Sequence, residues 1–436
     1  MRTPLLIAAL STLLLTACQT TPAAFTPGTS PLVRSASAIQ MNRVATKVAN
    51  PAQGTVPGEL VVRFRPGVSA QNSQMTLQQL GITRIQSIGR PGMGIELVKV
   101  RPGMNISSTL QTLRANPSVQ YAEPNYIVSI PPELAGAPLL RSEPTPFPND
   151  PMFAQQYAHR VSNSLKGWEI TQGSDKVVIA IVDTGVDLQH PDLLAKMVPG
   201  KDMVDGDDQA FDGHGHGTHC AGIAAATTNN QVGVAGFAPA AKIMPIRVLG
   251  NNGSGTSADV ANGVIWAADH GAQVISMSLG SRSDAQVKAE AIQYALSKDA
   301  VVVAAMGNSG NEDKSFPAAT PGVIAVGATD SADKRASFSQ YGSWISVSAP
   351  GVNILSTFPT SGPSSRKDYG SISGTSMATP AVAGAVALIR GQNPGLKGPQ
   401  VRAQLEQGTD DLGEPGFDKY YGHGRINLEK ILRPMR

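Results

Sequence analysis

The sequence predicts an α/β protein, a mostly parallel sheet covered by helices, preceded by a small α+β domain. Three observations point there. The apolar runs Val177–Val182 and Ala300–Met306 are rich in β-branched residues and do not alternate with polar ones, the mark of strands buried on both faces. Stretches of small residues, such as Ala381–Ile389, have the composition of helices that lie close to such a sheet. A chain of 436 residues is long enough for an export signal, a small domain and one large α/β domain.

Taken in order, Met1-Arg2-Thr3 followed by the apolar stretch Pro4 to Leu15 reads as a signal peptide, too short to span a membrane as a helix. Leu15-Thr16-Ala17-Cys18 resembles the bacterial lipoprotein box, in which the cysteine is lipidated and becomes the new N-terminus; a plain secretory signal is the alternative. Residues 1–18 are therefore assigned to the signal, and 19–54, rich in Pro, Ser, Thr and Ala, to a flexible linker. Residues 55–130 change pattern. Gly58–Phe64 and Ile95–Val100 read as strands, Met75–Leu80 and Ser107–Ala115 as helices, and Val119–Val128 as a final strand. Residues 131–149 are proline-rich and read as an exposed processing linker, and 150–436 as the large domain. No later segment is long and apolar enough to span a membrane.

Three segments of the large domain carry chemistry. Val177–Val182 ends in Asp183-Thr184-Gly185, and carboxyl ends of strands are where α/β sheets build sites. His216 enters a small-residue helix, His216-Gly217-Thr218-His219-Cys220-Ala221-Gly222, through the glycine-rich approach Asp212–Gly215. Ser376 in Gly374-Thr375-Ser376-Met377-Ala378-Thr379-Pro380 stands at a helix start, where free N–H groups favour a developing negative charge. Alone, each has an ordinary reading: turn aspartate, structural histidine, capping serine. Together they offer acid, base and nucleophile.

The three segments, in the order Asp, His, Ser, resemble the subtilisin-like serine proteases, the subtilases, of the thermitase and proteinase K kind. The resemblance covers roughly the last two-thirds of the chain. It implies a doubly wound sheet with helices on both faces, and a triad of Asp183, His216 and Ser376. It also implies an oxyanion hole built from the Asn308 amide and the Ser376 backbone N–H. Substrate is expected to pair as a strand with Gly253, Ser254 and Gly255 on one side and Ser278, Leu279 and Gly280 on the other. Ala305, Gly307 and Ser315 would complete the first specificity pocket. No acidic residue stands at these positions, so the expected preference is for apolar or aromatic residues before the cleaved bond.

The family likeness extends to Thr228–Gly236, which resembles a calcium loop. It implies Ca2+ bound by Asp192, the Asn230 side chain and the carbonyls of Thr228, Val232 and Val234, with Asp150 completing the shell. Residues 55–130 look like the inhibitory propeptide of the family. The expectation is thus a secreted, monomeric endopeptidase of broad specificity, made as a self-processing precursor that its own propeptide inhibits. It acts on proteins and peptides and is tethered before processing if Cys18 is lipidated. A subtilase fold without activity, used for binding, is the alternative.

Other classes are disfavoured. A net charge of +3 without a basic run gives no sign of nucleic-acid binding. His214, His216, His219 and Cys220 raise the question of zinc, but no His-Glu-x-x-His is present and His216 has a place in the triad. Of the two cysteines, Cys18 lies in the signal. Cys220 reads as a small buried packing residue, so the large domain can form no internal disulfide.

Overall fold

A computed structural model describes residues 54–136 and 147–433; the signal, nearly all of the linker and part of the processing segment lie outside the described residues. The large domain is built on a nine-stranded sheet. Its order is Thr409–Asp410, Arg425–Ile426, Val347–Pro350, Ile324–Thr329, Val301–Ala305, Val274–Met277, Val178–Asp183, Lys242–Arg247 and Lys201–Asp202. All neighbours pair in parallel except the first two. This is the α/β class the sequence predicts.

Two cores follow from the period of two along the central strands. Ile179, Ile181 and Val303 face one core, with the helices His216–Ala225 and Thr375–Gln392. Ala180, Val182, Val302 and Ala304 face the other, with Ser257–Asp269 and Gln286–Ser297. A strand with apolar residues on both faces cannot alternate, which is why these runs read as continuous. The small residues of the two inner helices permit close approach. A Cβ on Gly217 would lie 2.1 Å from the Gly185 carbonyl oxygen, so glycine there lets the histidine helix sit against the strand end that carries Asp183.

The N-terminal domain is an antiparallel sheet backed by the helices Ala70–Gln79 and Ile106–Ala115. Its own strand order is Ile82–Ile88, Ile95–Val100, Thr55–Phe64, Val119–Ser129. The first of these is absent from the sequence reading. It is an edge strand in which only Ile82 and Ile88 are buried, and Ile85 is exposed, so it lacks a periodic apolar signal. The first helix begins earlier than its apolar residues suggest, because Ser69 caps it by accepting from Asn72 N.

Three of the contacts that join the two domains matter most here. Val119–Ser129 continues the small sheet into the large domain by pairing antiparallel with Ser254–Thr256. Val61, Ile88, Ile95, Leu97 and Val128 belong to the same apolar cluster as Val264, Ile265, Ala291 and Ile292. Glu123 caps the helix Gln286–Ser297, whose N-cap residue Ala285 has no side-chain acceptor. The carboxylate takes Gln286 N and Val287 N at 2.9 Å each. Beyond the small sheet the chain runs across the carboxyl ends of the parallel strands, and Leu134–Ala135 pairs with Tyr369–Ser373.

Candidate active site

Asp183 ends its strand fully buried, and His216 opens its helix fully buried. His216 Nδ1 lies 2.6 Å from Asp183 Oδ1. Burial disfavours the imidazolium, but the Asp183 carboxylate outweighs that and holds the His216 pKa well above the ordinary value. Nδ1–H is thereby turned to the acid, and Nε2 to the cleft.

Asp212, buried and unassigned by the sequence reading, shapes the approach to His216. Its carboxylate accepts from His214 N, Gly215 N, Thr218 N, Thr218 Oγ1 and Thr184 Oγ1 at 2.7–2.9 Å. Thr184 Oγ1 in turn accepts from Gly217 N. One acid thus binds the aspartate turn to the histidine helix.

Ser376 is the second residue of the helix Thr375–Gln392. Pro380, four residues on, has no N–H, so the helix leaves the Ser376 carbonyl unpaired. That carbonyl accepts from Ser278 Oγ at 2.8 Å and from Cys220 Sγ at 3.5 Å. The proline inside the helix therefore ties Ser376 to the neighbouring strand end. Cys220 is buried, as expected, but it does more than pack: Sγ lies 4.0 Å from His216 Nδ1 as well. Burial raises its pKa, which keeps it a thiol.

Asn308 is oriented by Thr375. Its Oδ1 accepts from Thr375 N at 2.9 Å and Thr375 Oγ1 at 2.8 Å, which turns Nδ2 outward. Nδ2 donates at 2.8 Å to the carbonyl of Pro132, in the segment that links the two domains. The chain on either side of this carbonyl is laid out as a strand. Val128 pairs with Gly255 and Ser129 with Ser254, while Ser129 exchanges hydrogen bonds with Gly280 at 3.1 and 2.9 Å. Ile130 N donates to Gly253 O at 3.0 Å, and beyond Pro132, Leu134 pairs with Ser373 and Ala135 with Ile372.

Two groups differ from a poised triad. Ser376 Oγ donates to Ser278 O at 3.2 Å, and His216 Nε2 makes no hydrogen bond. Facing Nε2 is Glu133, which the sequence reading did not single out. Its Oε1 lies 3.4 Å from Nε2, an ion-pair distance without hydrogen-bond geometry, and its Oε2 accepts from Arg366 Nη1 at 2.7 Å. Burial of Glu133 favours the neutral acid, but His216 and Arg366 outweigh it and lower its pKa.

The other expected residues are placed as follows. Leu279 has its side chain in the core, so it offers only backbone to the groove. Ser315 faces Gly280: a Cβ there would lie 2.5 Å from Ser315 Oγ. Ala305 ends its strand fully buried, and Gly307 N donates to Thr375 Oγ1 at 3.1 Å. His219 is buried with Nε2 3.1 Å from Gly370 O, an internal partner. Asp183, His216 and Cys220 bring ligand atoms within 4.8 Å of one another, but His216 Nδ1 is engaged by Asp183.

At the loop expected to bind calcium, Asp192 and Asp150 are both buried, and their hydrogen-bond partners among the described residues include no basic group. Asp192 accepts from Asn230 Nδ2 and Val234 N at 2.8 Å each, and from Tyr369 OH at 3.4 Å. Asp150 accepts from Asn229 N and Asn230 N. Burial pushes the Asp192 pKa up to about 7, with the nearby Asp150 charge adding to the rise.

A parallel sheet whose strand ends and helix starts deliver a buried acid, an imidazole, a serine and an outward-turned amide defines a serine peptidase of the subtilisin type. The chain belongs to the subtilase family: residues 174–424 match it, and residues 42–125 match the fervidolysin N-terminal prodomain. It is 41% identical over 373 residues to the thermophilic serine proteinase of Bacillus sp. strain AK1, covering 85% of this chain and 86% of that protein. It is 48% identical over 287 residues to thermitase of Thermoactinomyces vulgaris, covering 66% and 99%. The crystal structure of fervidolysin from Fervidobacterium pennivorans, a keratinolytic enzyme related to subtilisin, superposes with a TM-score of 0.73 at 28% identity. That match covers 86% of this chain and 60% of the longer fervidolysin chain.

Proposed function

We propose that this chain is the precursor of a secreted serine endopeptidase of broad specificity, and that its first substrate is its own Pro132–Glu133 bond. The observation that carries the reading is the 2.8 Å hydrogen bond from Asn308 Nδ2 to the Pro132 carbonyl, within a segment aligned as a strand on both sides. That is the pose of a substrate, reached through the residue expected to stabilise the oxyanion.

The steps follow from the residues. Once Ser376 Oγ turns from Ser278 O to His216 Nε2, it attacks the carbonyl carbon, and His216 takes its proton. Negative charge develops on the carbonyl oxygen, where the Asn308 amide, already bonded to it, and the Ser376 N–H would receive it. His216 gives the proton to the leaving amine, and Asp183 holds the imidazolium throughout. Water then enters by the same exchange and frees Ser376.

Backbone pairing along Gly253–Gly255 and Ser278–Gly280 reads few side chains, which supports broad tolerance. The absence of acids around Ala305, Gly307 and Ser315 supports an apolar or aromatic preference. A signal over residues 1–18 supports secretion. If Cys18 is lipidated, cleavage after Pro132 releases a soluble enzyme from a tethered domain.

A structural Ca2+ fits the loop. Two buried carboxylates lie close together without a basic partner, and none of the described residues donates to the carbonyls of Thr228, Val232 or Val234. Asp192, Asn230 and those carbonyls would hold the ion, with Asp150 bracing the loop through Asn229 and Asn230. The ion would supply charge compensation and rigidity, not a step of the reaction.

The test is hydrolysis of casein by the purified protein beside Ser376→Ala, with a fluorophosphonate as active-site label. Activity and labelling in the wild type, and neither in the variant, are expected. Equal activity in both would sink the proposal.

A further inference from the structure

We propose that Arg366 makes the subsite immediately past the cleaved bond a receptor for an acidic side chain, which Glu133 fills in the precursor. The inference rests on the proposed pose of the Pro132–Glu133 bond. With the Pro132 carbonyl held by Asn308, Glu133 is the first residue on the leaving side. Its side chain is only 7% exposed, and Oε2 accepts a charge-assisted hydrogen bond from Arg366 Nη1 at 2.7 Å.

Arg366 is positioned by the large domain and not by Glu133 alone. Its guanidinium lies over the Phe358 ring, 5.4 Å from the centroid. Ser364 Oγ receives Arg366 N at 3.3 Å and joins this turn to the His216 approach through His214 O at 2.9 Å. Among the described residues Glu133 is the only carboxylate paired with Arg366. Cleavage makes Glu133 the N-terminus of the mature chain; once that freed end leaves the cleft, Arg366, already 40% exposed with Glu133 in place, is a cation without its carboxylate beside His216. The cleft there, with a volume of about 460 Å³, is walled by His214, Asn251, Ser364 and Arg366 on one side and by the segment 130–133 on the other.

The same geometry separates binding from turnover. The second oxygen, Glu133 Oε1, lies 3.4 Å from His216 Nε2, the atom that must accept the serine proton. An acidic side chain at this subsite gains from Arg366 on binding, yet favours the protonated, idle form of the base. Acidic residues there lower KM and also lower kcat, so peptides ending their unprimed half in an apolar residue and continuing with Glu act as slow, tight substrates.

The experiment uses the self-processed enzyme and a peptide series with one apolar residue before the bond and Glu, Gln or Lys after it. The wild type is expected to show a KM for Glu about two- to fivefold below that for Gln, the range of a partly exposed ion pair, with kcat for Glu the lower of the two. Arg366→Ala should erase the KM difference, Arg366→Lys should keep part of it, and Arg366→Glu should transfer the preference to Lys. Since each reading is a ratio within one enzyme, a loss of stability in a variant does not decide it. A Glu-to-Gln ratio that is the same in wild type and Arg366→Ala overturns the inference and leaves the protease reading intact. Failure to cleave any peptide overturns the reading beneath it.

Discussion

His216 carries two opposed tasks at the scale of single residues, and their conflict sets the pH behaviour of the precursor. Asp183 raises its pKa, so the imidazolium is stabilised in full below the ordinary value near 6.5 and loses that stabilisation as pH rises through the raised value. Glu133, whose pKa is lowered, keeps its charge through the same range and loses it only in acid, below the usual carboxylate range. The Glu133–His216 contact therefore persists at neutral pH and weakens as His216 deprotonates. Self-processing should quicken with rising pH, with a midpoint above that for peptide hydrolysis by the mature enzyme, in which Glu133 is the freed N-terminal residue and no longer held against His216. Rapid-quench timing of precursor loss across pH checks this; Glu133→Gln should bring the two midpoints together. Pro132 is the second brake. Neither it nor Pro131, which the antiparallel pairing of Ser129 with Gly280 sets opposite Ser278, has an N–H to offer Ser278 O, which instead takes the Ser376 hydroxyl at 3.2 Å. Pro132→Phe restores an N–H and, on the proposed apolar or aromatic preference, suits the first specificity pocket, and should speed processing about tenfold or more. Asn308→Ala should lower kcat on peptides by about 10²–10³ while KM changes little. At this scale Asp183, His216 and Ser376 could be singled out because each sits in a glycine-marked segment of distinctive composition. Glu133 and Arg366 were not, since 233 residues separate them and neither lies in a patterned run. The part played by Pro380 was hidden too: a missing N–H matters only once Ser278 and Cys220 are seen to take the vacant carbonyl.

Elements are where the two domains become dependent on each other. The helix Gln286–Ser297 lacks a side-chain cap of its own and borrows Glu123 from the prosegment. Asn125 likewise reaches the start of Ser257–Asp269, accepting from Ala258 N at 3.2 Å. Both helices cover the same face of the sheet, so the prosegment supplies caps where a slow-forming parallel sheet needs its outer layer ordered. Glu123→Ala should weaken the prosegment's hold on the mature domain by about 1–2 kcal/mol, the value of a lost cap, seen as a five- to thirtyfold rise in Ki for the isolated prosegment added in trans. The central strands were legible because burial on both faces leaves an unbroken apolar run, as in Val301–Ala305. Ile82–Ile88 escaped notice because an edge strand buries only its ends. No local pattern could reveal that Val119–Ser129 ends by joining the sheet edge at Ser254–Thr256, for that pairing depends on where two domains meet.

For the whole molecule, the arrangement is a precursor whose linker already lies in its own active site. The described catalytic domain holds one cysteine and no disulfide, so its stability at this scale rests on two apolar cores and, on our proposal, a bound cation. A chelator should lower the melting temperature of the mature enzyme, since an ion held at about a hundred times its Kd contributes about 2.7 kcal/mol. Asp192→Asn should melt lower and respond less to chelator; identical curves with and without chelator would count against a tight site. The central claim is that Ser376 cuts the chain between Pro132 and Glu133. The most direct measurement is the intact mass of the released prosegment, with Ser376→Ala prepared in parallel. The account predicts a fragment whose last residue is Pro132, and an uncut Ser376→Ala chain; a prosegment ending at another residue, or the same fragment from the serine variant, would contradict it.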